Sequence, residues 1–126
     1  MSPDTYIAFW ELHDEKLPTA WSPAISTGQG LPLWVNHLAF RAASLEDIAA
    51  RRDRWLEHGH DVMEIDHGWC TSIYTVDPNG ILVEFCVTTQ AMTQADREEA
   101  LRLLTDPNPK VETPPPVQIH KAKRAA

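Results

Sequence analysis

Positive charge, cysteine and long apolar runs are all scarce in this chain, and each shortage excludes a class of protein. Eleven lysines and arginines stand against eighteen aspartates and glutamates, a formal net charge of -7. Such a surface has no broad basic field for nucleic-acid phosphates. The one basic run, His120-Lys121-Ala122-Lys123-Arg124, is terminal and reads as a solvated tail. No apolar stretch approaches the roughly 20 residues that cross a bilayer, and residues 1–20 lack a signal-peptide core. The two cysteines, Cys70 and Cys86, are too few for a disulfide framework, so reduced thiols in a cytoplasmic protein are expected. At 126 residues the chain has room for one small two-layer domain.

What is present is concentrated in residues 71–86, T-S-I-Y-T-V-D-P-N-G-I-L-V-E-F-C. Two alternating, β-branched runs flank Asp77-Pro78-Asn79-Gly80, which is hairpin grammar. Pro78 presets the second position of a type I turn, and Gly80 supplies the positive φ that follows it. That three-residue loop sets a register in which Asp77 faces Ile81, Thr75 faces Val83 and Tyr74 faces Glu84. Alternation then puts Ser72, Tyr74, Leu82, Glu84 and Cys86 on one face. Ile73, Thr75, Val83, Phe85 and Val87 form the greasier face, which should meet a helix. Cys70 is diagonal to Cys86, so no bridge is expected between them. A carboxylate in mid-strand beside a tyrosine needs a partner.

The rest of the chain reads in order as follows. Residues 6–12 (Y-I-A-F-W-E-L) form a short strand, apolar except for Glu11. The prolines and glycines of residues 13–33 indicate a long irregular loop, a lid or binding loop in a domain this small. Residues 33–41 are a second strand, with His37 and Ala39 on one face and Leu38 and Phe40 on the other. Ser44 caps a helix with Asp47 at the capping-box position, and Gly59 stops it. Residues 61–65 are a strand, Asp66-His67-Gly68 is a turn, and the hairpin follows. Thr93 caps a last amphipathic helix running to Leu104. From Asp106 the prolines forbid regular structure and predict an extended tail.

His37 and Glu84 thus occupy the first and last strands of a βαβββ unit. If those strands are neighbours, imidazole and carboxylate converge on one point and suit a divalent metal, Fe2+, Mn2+, Ni2+ or Zn2+. A core histidine bonded to a buried glutamate accounts for the same pair without chemistry.

V-N-H-L-A-F-R, the capped helix ending in E-H-G, and S-I-Y-T-V-D-P-N-G-I-L-V-E-F together resemble the vicinal oxygen chelate superfamily. It groups lactoylglutathione lyases, extradiol ring-cleaving dioxygenases, methylmalonyl-CoA epimerases and fosfomycin- and bleomycin-resistance proteins. The resemblance covers residues 6–87 and implies an α+β fold, a βαβββ module with a mixed sheet. The complete module would span residues 33–89. Residues 5–13 would be a remnant of a first module within a domain of 1–105, with 106–126 as the tail. The resemblance implies His37 and Glu84 as metal ligands and Glu11 as a third ligand or general base. Tyr74 would orient substrate, and His67 falls where the dioxygenases keep an acid–base histidine, although its D-H-G turn favours plain solvent exposure. His13, His58, His60 and His120 read as surface residues.

The family's usual first histidine has no counterpart here, so either the chain is a shortened form or another subunit completes the cup. A homodimer binding a small molecule, with no nucleic-acid or membrane partner, is the expectation. The implied function is metal-dependent and dioxygenase-like, acting on a substrate with two adjacent oxygens. A lactoylglutathione lyase-like activity and metal-free sequestration of a ligand, as in bleomycin resistance, are the alternatives.

Overall fold

The computed structural model describes residues 6–111 and 113–123. Thr5, the first residue of the expected first-module remnant 5–13, and Arg124 of the basic run lie outside the described residues. Five strands and two helices follow in the order β1 His37–Arg41, α1 Leu45–Glu57, β2 Val62–Asp66, β3 Cys70–Val76, β4 Leu82–Thr88, α2 Gln94–Thr105 and β5 Val117–His120. They form one mixed sheet in the order β1-β4-β3-β2-β5, with β1 parallel to β4 and every other pair antiparallel.

The hairpin takes the register that its turn chemistry requires, with Tyr74 opposite Glu84 and Thr75 opposite Val83. Asp77 N–H donates to Ile81 O at 2.9 Å, and Asp77 Oδ1 accepts from the N–H groups of Asn79 and Ile81 at 2.9 and 2.8 Å. Gly80 closes the turn at φ 77°, where an added Cβ would stand 3.2 Å from the Ala24 Cβ. Both the left-handed backbone and that contact oppose a side chain. Gly80→Ala is therefore expected to cost about 1–2 kcal/mol, read as a lower urea midpoint at unchanged m. An unchanged midpoint would mean that the turn relaxes freely.

Helix α1 starts because Ser44 Oγ accepts from Asp47 N–H at 3.2 Å. The Asp47 carboxylate accepts from Ala43 N–H, one residue before the cap, rather than closing the box on Ser44. Its amphipathic stripe covers the greasy face of the sheet. Ile48, Val62, Ile73 and Val87 are buried together with Ala42, and Trp55, Leu56 and Phe85 pack around them. The Arg51 guanidinium lies 4.1 Å from the Phe85 ring centre and closes that side.

Several expectations are corrected. Residues 6–12 carry no strand. A strand needs a neighbour with matched N–H and C=O groups, whereas Ile7 and Phe9 share a cavity with Phe40, a side-chain contact that imposes no register. Strand β1 begins at His37 rather than at residue 33, because the preceding loop bends to tie itself down. Ser26 Oγ accepts from Asn36 N–H at 2.8 Å and donates to Asn36 O at 3.0 Å. The tail is not devoid of regular structure: Val117–His120 pairs antiparallel with β2 as soon as the proline run ends. His120 is accordingly not a surface residue of a solvated tail, since its Nε2 lies 2.9 Å from Glu64 Oε2. Lys121 in turn reaches Asp61 at 2.8 Å. Helix α2 starts at the expected cap, Thr93, which forms a reciprocal capping box with Asp96, but it buries none of its residues, so Leu101 and Leu104 stay exposed.

Candidate functional site

The face turned away from α1 gathers the polar groups. Alternation along β3 and β4 brings Tyr74, Ser72, Glu84 and Cys86 to it, and the parallel pairing of β1 with β4 sets Ala39 opposite Glu84. His37, two residues before Ala39, shares that face. Its Nε2 lies 2.8 Å from Glu84 Oε2, with the two side chains 33% and 10% exposed. The Tyr74 hydroxyl donates to the other carboxylate oxygen, Oε1, at 3.1 Å. His67 comes in from the turn between β2 and β3, its Nε2 3.2 Å from the same hydroxyl. The rings of His37 and Tyr74 meet edge to face at 6.2 Å.

Donor and acceptor chemistry fixes the protons in this line of four groups. A carboxylate only accepts, so His37 must donate from Nε2. The Tyr74 hydroxyl proton is committed to Glu84, so His67 must donate its Nε2 proton to the phenol oxygen. The result is a continuous line, His67 to Tyr74 to Glu84 to His37.

Burial pushes the Tyr74 phenol up to about 12; the nearby Ser72 hydroxyl lowers it, and the Glu84 carboxylate adds to the rise. Burial and then the neighbouring Cys86 push the Cys70 thiol up to about 11, so it rests as an inert thiol. The fully buried Ser72 Oγ makes no hydrogen bond among the described residues. Because the folded phenol ionises above its ordinary value of 10.0, the stability that this shift contributes is complete below pH 10 and is lost as pH rises toward 12. The difference between the 295 nm titrations of the parent and Tyr74→Phe is expected to place this phenol near 12. A difference curve centred on 10 would mean that the cup admits water freely.

His37, Glu84, Tyr74 and His67 thus come together. Glu11 does not join them, for it pairs at 3.2 Å with His13 and both side chains are largely exposed. His58 caps α1 through the Arg54 carbonyl, and His120 lies on the helix side with Glu64 and Arg52. Among the described residues no group of three or more His, Cys, Asp or Glu is placed to hold a metal ion. Ser72 was visible by alternation as a neighbour of Tyr74, but its burial beside Cys70 was not. Leu33 and Met63, which line a pocket along the Tyr74 ring, carried no signal.

Among the described residues no helix is long and apolar enough to cross a membrane. Comparison with curated proteins and with solved structures gives no significant match. The family model described as Glyoxalase/Bleomycin resistance protein/Dioxygenase superfamily matches residues 2–85, which takes in the βαβββ unit through Phe85 and so contains His37, His67, Tyr74 and Glu84. The chain belongs to the glyoxalase/bleomycin resistance protein/dioxygenase superfamily.

Proposed function

We propose that this protein is a metal-dependent enzyme that acts on a small substrate through two adjacent oxygens, with dioxygenase-like chemistry. The observation behind this reading is the 2.8 Å approach of His37 Nε2 to a buried carboxylate whose other oxygen is held by Tyr74. The donor chemistry fits Fe2+, Mn2+, Ni2+ or Zn2+: one imidazole nitrogen and one carboxylate on rigid strands. Their number leaves further positions to substrate oxygens, water or a donor from a second copy. When bound, the ion supplies a Lewis acid that stabilises negative charge on chelated oxygens.

The chain's own residues do the rest. His37 would have to release its Nε2 proton to serve as a ligand, so metal affinity would fall in acid. Tyr74, kept protonated by its burial, has one hydroxyl proton, which a substrate oxygen would take over from Glu84. His67 holds the phenol oxygen from behind and fixes the direction in which it donates. Two free thiols, Cys70 and Cys86, suit a reducing, cytoplasmic setting. A homodimer would shield the edge of β1 that faces away from β4.

The lyase-like alternative depends on Glu11 as ligand or base, and Glu11 stands apart beside His13. Metal-free sequestration has one specific observation in its favour, since the direct His37–Glu84 bond already satisfies both groups. Metal analysis of protein purified without chelators separates the two. A stoichiometric divalent ion is expected, and dialysis against a chelator should abolish binding of catechol, a simple molecule with adjacent oxygens. A metal-free parent that still binds catechol would favour sequestration.

A further inference from the structure

The helix-covered side of the sheet carries a hollow that the metal-binding reading does not use. About 430 Å3 of open space lies between Arg51, Arg54, Trp55, His58, His60 and Phe85. The first four recur at i, i+3, i+4 and i+7, so they share one flank of α1 and its end. Phe85 alternates with Glu84 along β4 and so lies on the side opposite the polar cluster. There it packs on Trp55 with ring centres 5.4 Å apart. Gly59, at φ 83°, turns the chain back, and His60 N–H donates to the Trp55 carbonyl at 3.0 Å.

No carboxylate lines this hollow, in a chain whose formal net charge is -7. Elsewhere arginines are matched, Arg52 by Asp53 and Glu64 and Arg102 by Glu99 and Asp106. Arg54 makes no ion pair among the described residues. Arg51 gives its Nε to Asp47 at 2.9 Å and lies 4.1 Å from the Phe85 ring centre. Its two Nη groups have no hydrogen bond among the described residues. The helix dipole accounts for basic groups in the last turn, Arg54 and His58, but not for Arg51 in mid-helix or His60 beyond the end. Nor do bare carbonyls face the space. Arg54 O accepts from the His58 N–H and Nδ1, and Leu56 O accepts from Gly59 N–H.

We propose that this hollow is a second binding site, for an aryl phosphate, with the phosphate held by Arg51 and Arg54 and the ring set against Trp55 and Phe85. A guanidinium fork matches phosphate oxygens in pairs, and Arg54 has its whole fork to give. A phosphate monoester carries a charge of about -1.5 to -2 near neutral pH, which two arginines flanked by two histidines complement. At physiological salt charges beyond about 8 Å are largely screened, so the local basic groups outweigh the acidic remainder of the surface. The two tilted aromatic rings supply the apolar wall that a flat ligand needs beside its charged end. The volume falls within the roughly 300–1,000 Å3 of small-molecule clefts. This site lies across the sheet from His37 and Glu84 and does not depend on the function proposed for them.

The test uses the full chain and four probes, phenyl phosphate, inorganic phosphate, benzoate and phenol, with affinities from calorimetry. Phenyl phosphate is expected to bind with a Kd below about 1 mM, at least about tenfold more tightly than each of the other three. Arg54→Gln, at an exposed position, should weaken it about tenfold, and Arg54→Glu should weaken it further. Arg97→Glu, on the exposed helix α2, changes the net charge by the same amount and should leave the affinity within about twofold. Glu84→Gln, directed at the polar cluster, should leave it equally unchanged. Circular dichroism and the urea midpoint confirm that each variant is folded. Absence of phenyl phosphate binding at about 10 mM would overturn the proposal. So would equal losses in Arg54→Glu and Arg97→Glu, which would reduce the effect to net charge. Inorganic phosphate binding as tightly as phenyl phosphate would remove the role of the rings, and benzoate doing so would remove the assignment to phosphate. A loss of binding in Glu84→Gln would place the ligand on the other face and sink the site.

Discussion

Glu84→Gln is expected to bring bound metal down to background while leaving a folded protein. The amide keeps the shape and can still accept a hydrogen bond, but it removes the anion that a divalent ion requires. His37→Ala should have the same effect on metal content, because the imidazole is one of the two ligands proposed for the ion. If metal binding is the purpose of the pair, the stability lost in either variant should match what a chelator removes from the parent, since both take away only the free energy of binding. A pair that serves packing alone behaves differently. His37→Ala would then leave a carboxylate only 10% exposed with Tyr74 as its one remaining donor among the described residues, at a cost of roughly 3–5 kcal/mol. Glu84→Gln would cost less, because no buried charge is left behind. Thermal melts and metal analysis on the same variants decide the matter. A metal-free parent with a heavily destabilised His37→Ala would defeat the catalytic reading.

Ile73→Ala should be the most damaging change away from the site, about 2–5 kcal/mol. Ile73 is wholly inaccessible at the middle of β3 and sits in the core group with Ile48 of α1, Val62 of β2 and Val87 of β4. Those neighbours lie on rigid strands and a capped helix, so the space left by the lost carbons cannot collapse fully. Against a total stability of roughly 5–15 kcal/mol for a domain of this kind, such a loss brings the protein close to unfolding at 37 °C. Urea denaturation should show the midpoint falling with m unchanged. A cost under about 1 kcal/mol would mean that α1 does not pack on the sheet through this group.

The difference between what the sequence carries and what it does not follows from the range of the forces involved. Turn chemistry and side-chain alternation act over a few residues. Asp77-Pro78-Asn79-Gly80 therefore determined the hairpin register, and with it the common face of Tyr74 and Glu84. Ser44, Gly59 and Thr93 determined where the helices begin and end in the same local way. The pairing of His37 with Glu84 needed β1 beside β4, and the order of elements with the family resemblance pointed to that arrangement. Strand β5 could not be read this way. Four alternating residues after a proline run form a strand only because β2 has an edge with unpaired groups to offer. Residues 6–12 show the converse, a sequence well suited to a strand that finds no ladder. His67 was ambiguous for the same reason: its turn looks exposed, and only the fold brings the Tyr74 hydroxyl within 3.2 Å of it. Which residues share a face was local information, while which edges meet and which polar groups end up buried together depended on the whole sheet.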